Sequence, residues 1–526
     1  MSSKPFRGAG IILGLAIGGC SVGPNYHTPQ VSVPSAFEPS PATQPATQAN
    51  TSRTIDMTRW WQSLGDTELD SLVDRAVAAN LDVQIALMRL QEARSSAGVV
   101  AGGIMPFVEG SGGLAKGSGT NSTKGRVAPP LNAATDTTGL KEITQVVGFD
   151  AGWEIDLFGR FRRELEAAVA DTQAAVELRN EVVLTVVSDV ARIYIDMRTA
   201  QLRLAIAKQN IAVAQQTLSL VQQRFDRGLT NELDFALARR QLSTERAAVA
   251  PLEQGIGDLQ RRLAVLLDQS PESLYEELTP PRNLPAPPEH LITGVPLDLL
   301  RRRPDIREAE RRIAAESARI GVATADLFPR IAITGGLGLQ GQGLGRAPAT
   351  NSFIWSVGPT AIVPIFDFGR IDSMIELEDY RTREQFYNYK RTVLNAVEEV
   401  DNAAGNYAAQ QDRLTQLGEA LDASKLAVSL ATGRYERGLI DFLNVLDAQR
   451  QLYELQDQYT VAQQTLVEQY IAVSKALGGG WENYQNVPPI RKPLPAVFAA
   501  GEQVLHALSP PKSTSSSSSS TVPEPR

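Results

Sequence analysis

The chain has 526 residues, 43% of them apolar, enough for a large core, and its formal charge of −8 argues against nucleic acid as a partner. A single cysteine excludes a disulfide framework or a thiolate metal site, and His27, His290 and His506 are too scattered to form a ligand set. No Walker A, nucleophile elbow or HExxH sequence occurs, so neither an enzyme nor a bound cofactor is expected.

Lys4 and Arg7 precede an apolar run at 11–17, which Gly18, Gly19 and Cys20 follow. This is the form of a secretory signal, too short to span a membrane permanently. An apolar residue three before a cysteine, with small residues between, resembles the bacterial lipobox, although Ile17 stands where leucine is usual. Cys20 is therefore the candidate acylated residue; the alternative is a buried free thiol. Residues 21–50 are rich in proline, threonine, glutamine and serine and read as an extended tether. Helical spacing begins near Trp60 and Trp61 and continues over 66–100 through Leu69, Leu72, Val73, Ala76, Val77, Ile85, Leu87 and Leu90. Pro106 ends it.

Two stretches of period two come next. Val147, Phe149, Ala151, Trp153, Ile155 and Leu157 alternate with Gly148, Asp150, Gly152, Glu154 and Asp156, which separates an apolar face from a small and acidic one. Phe353, Trp355, Val357, Ala361, Val363 and Ile365 alternate in the same way with Ser356, Gly358 and Thr360. With preceding strands at 107–114 and 331–340 they form two hairpins. Such faces suit lipid outside and water inside, or a soluble two-faced sheet. The hairpin loops, 115–142 and 341–351, are made of turn residues. Gly336, Gly338 and Gly341 spell GxGxxG, but no helix follows them, so they belong to strand and loop rather than to a dinucleotide site.

Residues 161–227 contain neither glycine nor proline, and Val169, Thr172, Val176, Arg179, Val183, Val186, Val190, Ile193 and Met197 begin a heptad seam with one charged exception. The spacing predicts one helix of roughly 100 Å at about 1.5 Å per residue, either a solvated coiled-coil stalk or a stave of a tube. Gly228, Leu229 and Thr230 form a turn, and the chain then runs back as a helix to about residue 268. An offset of 210 carries Phe158, Gly159 and Arg160 onto Phe368, Gly369 and Arg370, and Arg227, Gly228 and Leu229 onto Arg437, Gly438 and Leu439. Upstream, Asp82 and Pro106 fall on Asp305 and Pro329 at an offset of 223, so the first of two internal repeats is longer by 13 residues, which fit best in its hairpin loop. The second turn, Gly438, Leu439 and Ile440, precedes a returning helix to about residue 477. The run 301–303 of three arginines reads as a solvated helix end. The expected organisation is signal peptide 1–19, anchor and extended segment 20–60, first repeat 61–268, linker 269–295, second repeat 296–477, and a C-terminal segment 478–526 with a disordered serine-rich tail.

The motifs CSVGPNYHTP (20–29), WEIDLFGR (153–160), RRPDI (302–306), ADLFP (325–329), PIFDFGR (364–370) and VLDAQ (445–449) occur in this order. In them the chain resembles the TolC-like outer-membrane efflux channels, in particular their lipid-anchored OprM-like branch. The resemblance implies a mainly α fold with a membrane β-barrel portion, a homotrimer with four strands per chain closing one barrel, and a tube of long coiled-coil hairpins in the periplasm. It implies a passive exit duct for small molecules that works with a periplasmic adaptor protein and an inner-membrane efflux pump. A duct for secreted polypeptides and a non-conducting envelope lipoprotein are the alternatives. It also implies a periplasmic gate at Leu443 and Asp447, with Asn444 in place of a second aspartate; Arg450, at i+3, is the candidate compensating neighbour, and the alternative is an ordinary exposed Asp447–Arg450 helix pair. The two glycine turns would then be the tips that meet the adaptor.

Overall fold

The computed structural model describes residues 21–29, 57–116, 143–288, 302–342 and 353–485. Cys20, the signal at 1–19, most of both hairpin loops and the serine-rich tail lie outside the described residues. A 3-10 helix, Met57–Leu64, leads into α1 (Thr67–Ala79) and α2 (Leu81–Gly103). Strands β1 (Phe107–Lys116) and β2 (Ile143–Ile155) follow, then the long α3 (Arg160–Asp226) and the returning α4 (Glu232–Ala247) and α5 (Val249–Leu266). The second half presents a similar succession: α6 (Pro304–Ala325), β3 (Arg330–Gln342), β4 (Phe353–Ile362), α7 (Arg370–Glu436) and α8 (Phe442–Ala476).

Helices α3 and α7 each have 67 residues. Both begin at a glycine with left-handed backbone, Gly159 at φ 84° and Gly369 at φ 79°, which turns the chain from strand direction to helix direction. The aspartates of the two FGR motifs explain why the helices start there. Asp156 accepts from the amides of Phe161 (3.4 Å) and Arg162 (3.0 Å), and Asp367 from those of Gly369 (3.1 Å) and Ile371 (2.9 Å). Each carboxylate satisfies donors that the first helical turn leaves unpaired. The expected returning helix of the first half is broken at Ala248, close to Pro251, which has no N–H for the carbonyl four residues earlier. In the second half α8 runs unbroken for 35 residues. Strand β2 starts four residues before Val147, and β4 stops at Ile362, just before Val363 and Pro364, so the expected alternation does not extend to Ile365.

The strands form one antiparallel sheet in the order β1-β2-β3-β4. The register aligns Val108, Ala151, Gly335 and Val357 in one row and Gly110, Phe149, Leu337 and Trp355 in the next, all on the same face. Below the sheet the helices follow the same order: α3 packs between α2 and α6, and α7 packs on α6. Helix α8 lies along α7 and also touches α3. The heptad seam of α3 is buried from Val183 to Met197, and again at Ala207, Ala214 and Val221. Its charged exception, Arg179, is buried as well; its guanidinium donates to Asn180 (3.3 Å), and burial pushes its pKa down.

The main core lies midway along the long helices, where Trp60, Trp61, Leu69, Leu72, Val187, Tyr194, Met197, Leu263, Val393, Tyr470 and Trp481 meet. A buried charged network fastens it. Arg198, 0% exposed, donates to Glu68 (2.8 Å), Gln201 (2.7 Å) and the Pro280 carbonyl (2.8 Å), while Arg282 reaches the same Glu68 (2.8 Å). Tyr194 donates to Asp66 at 2.5 Å. Within the arginine run Arg302 is exposed, as a solvated helix end requires, but Arg303 is not: it is buried, paired with Asp305 (2.9 Å) and Glu399 (2.8 Å), and donates to the Ala476 carbonyl (2.7 Å). It thereby ties the start of α6 to α7 and to the end of α8.

Two predictions arise from this region. Arg198→Ala leaves Glu68 buried beside one arginine instead of two and is expected to lower the unfolding free energy by roughly 3 kcal/mol or more, read from urea unfolding in detergent. The second concerns Glu468 on α8, whose pKa burial and a hydrogen bond with Asp196 of α3 push up to about 7. Gln464 donates to both carboxyls, at 2.8 and 2.9 Å. The folded chain holds this proton to near neutral pH, whereas an unfolded glutamate releases it near 4.5. The proton's contribution is complete below the unfolded value and is lost as pH rises through about 7. Melting temperature should accordingly fall across that window, and Glu468→Gln should remove that part of the fall.

Candidate functional site: the outer strand face, the N-terminal strap and the helical tips

Three places along the chain carry chemistry that packing alone does not explain. The first is the outer sheet face, where Val108, Val147, Phe149, Leu337, Trp355 and Val357 are all exposed. The opposite face is mostly small or polar, with Phe107, Ile354 and Ile362 as its large apolar residues, and Asp150 there is buried and accepts from Ser111 (2.8 Å). Among the described residues no helix is long and apolar enough to cross a membrane.

The second is the strap formed by residues 21–29. The Val22 amide donates to the Phe158 carbonyl (3.2 Å), and Gly159 comes so close to Ser21 that an added Cβ would sit 2.8 Å from the Ser21 Cα. Arg163, in the first turn of α3, donates to the carbonyls of Val22 (3.0 Å) and Gly23 (3.3 Å) and to Asn25 (2.8 Å). Tyr26 donates to Glu310 of α6 (3.0 Å). The segment that follows Cys20 is thus stapled across α3 and α6 at the foot of the strands. Sequence reasoning missed Arg163, since the repeat places Ser373 at its counterpart and so offers no signal.

The third is the far end of the long helices. Gly228 (φ 70°) and Gly438 (φ 73°) make the two turns, closed by the Leu229 amide on the Arg224 carbonyl (2.8 Å) and the Leu439 amide on the Arg434 carbonyl (3.0 Å). Leu229 and Leu439 are exposed, whereas Ile440 packs against a small core of Val221, Ala238, Tyr435, Phe442, Val445 and Leu446. Thr230 is half-buried and hydrogen-bonds Asp234. The two turns are joined by Arg224, which donates to the carbonyls of Tyr435 (3.2 Å) and Glu436 (3.1 Å) and lies over the Tyr435 ring at 4.7 Å. Arg224 was also missed, although RFDRGL and RYERGL place an arginine at this position in both halves.

Leu443, Asp447 and Arg450 share one exposed strip of α8, opposite Val445, Leu446 and Gln449. Asp447 accepts its hydrogen bond from Gln451 (2.9 Å), and no Asp447–Arg450 pair forms. The tip joint can be tested directly. Arg224→Ala should speed amide hydrogen exchange over 435–442 and leave the mid-helix core unchanged, because two hydrogen bonds and a cation–π contact are lost at the tip alone.

An apolar outer strand face set on helices of about 100 Å defines a membrane-channel subunit with a long helical extension. The chain belongs to the outer membrane efflux protein family, whose sequence profile matches residues 72–268 and 295–479. It resembles the solved outer-membrane channel OprN, with 35% identity and a TM-score of 0.77 over 88% of this chain and 100% of that one. Nodulation protein T of Rhizobium leguminosarum bv. viciae is 29% identical over 96% of this chain and 99% of its own length. The cation efflux system protein CusC of Escherichia coli K12 is 26% identical over 89% of this chain and 97% of its own length. The protein is an outer-membrane efflux channel.

Proposed function

We propose that three copies of this chain close a single barrel and tube, through which small molecules leave the periplasm. The observation that carries the reading is the four-stranded sheet with an exposed apolar outer face, whose end strands β1 and β4 each pair on one side only within the described chain. In hydrocarbon every backbone N–H and C=O needs a partner, so an open edge must be closed. Single-chain outer-membrane barrels begin at about 8 strands, so four strands do not suffice and copies must join. The mostly small or polar inner face then lines water. The helices continue the duct into the periplasm, with the turns at Gly228 and Gly438 at its far end, where a periplasmic adaptor and inner-membrane pump would deliver cargo. Exposed Leu229 and Leu439 suit such docking; Ile440, turned inward, supports the turn. The two element successions, at 61–268 and 296–477, are read as the two repeats.

In this reading Cys20 carries the acyl chains. Its neighbour Ser21 lies against the strand–helix junction, which is the level at which a lipid anchor enters the inner leaflet. One acyl chain binds marginally and several anchor firmly. Cys20→Ala is expected to lose palmitate incorporation and sorting efficiency while its barrel still conducts; continued labelling would disprove the assignment.

Leu443 and Asp447 form the gate, on the strip of α8 that the chain's own packing leaves open. Three symmetry-related carboxylates at a narrow point repel one another and favour cations, and with Arg450 unpaired to Asp447 that charge is not cancelled within the strip. In planar bilayers the wild type should conduct, which a structural brace would not. Leu443→Ala and Asp447→Ala should lengthen or enlarge openings, most of all together, and Asp447→Ala should weaken cation preference. Unchanged recordings in all three variants would move the constriction elsewhere.

A further inference from the structure

The packing inside one chain is a template for the packing between chains. Where β2 enters α3, Phe158 stacks on Phe328 from the α6–β3 turn, with ring centroids 4.7 Å apart. The same joint continues down α3 and α6 through Ala170, Ala314 and Ala315, and through the ion pairs Asp171–Arg319 and Glu177–Arg307, both 2.6 Å. The repeat offsets assign every partner a counterpart. Phe158 falls on Phe368, and Phe328 on Met105 in the α2–β1 turn; Glu177 falls on Tyr387 and Arg307 on Gln84. Within one chain these counterparts cannot meet, because α7 and α2 lie at opposite ends of the helix order.

The counterparts are left bare. Ile365 is 95% exposed, Phe366 76%, Phe368 89% and Tyr387 67%, and on the other side Met105 and Ile85 are more than two-fifths exposed. Phe368 also holds a left-handed backbone at φ 56°, which its counterpart Phe158 does not. For a bulky residue this conformation is unfavourable and persists where surrounding structure rewards it. Among the described residues its ring meets Phe366 at an edge, with centroids 4.4 Å apart.

We infer that the Phe366 and Phe368 knuckle docks on the α2–β1 turn of a second copy of this chain, Phe368 covering Met105 as Phe158 covers Phe328. The inference rests on the trimeric reading and deepens it by naming the joint. The second copy is favoured over lipid because Phe158, the internal counterpart of Phe368, is half-buried in its stack on Phe328, and Glu177, the counterpart of Tyr387, is buried against α6. The joint between copies differs in character from the internal one: the two ion pairs become Tyr387 opposite Gln84 and Arg381, paired with Glu378 on its own helix, opposite Ser96, so no ion pair crosses at these levels and Phe368 meets a thioether instead of a second ring.

The test uses full-length protein in detergent with the Phe368→Cys and Met105→Cys double variant, each single variant, and a short bismaleimide. The double variant should yield covalent trimers, and the single variants none. Tyr387→Cys with Gln84→Cys repeats the test one level down, should the first pair impair assembly. Light scattering on the same samples separates the two levels of argument: a monomer refutes trimerisation itself, whereas a trimer that neither pair crosslinks refutes this joint. A bimane label at Phe368→Cys that brominated acyl chains quench would place the knuckle in lipid and overturn the inference.

Discussion

A β-strand edge in hydrocarbon cannot leave its amides and carbonyls without partners, and the architecture of this chain depends on that constraint. Each unpaired group costs several kcal/mol where water is absent, and β1 and β4 each present a full row of them. Single-chain outer-membrane barrels begin at about 8 strands, which is the ground for proposing that copies of this chain join. The helices inherit the same logic. Their order below the sheet copies the strand order, so in the proposed assembly strands that join would bring their helices into the same seam.

The change from strand to helix is made twice with the same parts. A left-handed glycine reverses direction, and an aspartate just before it accepts the first free amides of the helix. At the first junction the strap after Cys20 is added, held by Arg163 and by the absence of a side chain at Gly159. At the second junction no Cβ neighbour lies near Gly369, and the aromatic knuckle stands free. The two junctions are therefore alike in backbone and unlike in surroundings.

Away from the membrane, buried charge is added to the main apolar core as a fastener. Arg198 and Arg303 are buried with carboxylates and carbonyls from distant segments, and such groups are costly to bury unless fully paired. They fix where the flanking segments wrap around the middle of the tube. Toward the tips burial thins to a small cluster around Tyr435 and Phe442, with Arg224 bridging the two turns. Packing at the tip is thinner than in the mid-helix core, so local opening there is expected to cost less than opening of that core.

Periodicity and punctuation by themselves determined the long helices, the four strands, their outward faces and the glycine turns, because those depend on local spacing and on residues with restricted backbone choices. The repeat offsets are likewise legible in the sequence, which reads as two halves of one plan. Other features had no local signature. Arg303 reads as one of three arginines at a helix start, and only the approach of Glu399 and the Ala476 carbonyl makes it a buried clamp. Asp447 and Arg450 sit at a spacing that permits a pair, yet the rotamer adopted gives the carboxylate to Gln451. Arg163 acts on a strap far earlier in sequence, and Ile440 turns inward because the tip core offers it apolar neighbours. Local geometry is a property of consecutive residues and is written in their order, whereas a side chain's partner depends on which distant segments the fold brings within a few ångströms, and that only the tertiary structure decides.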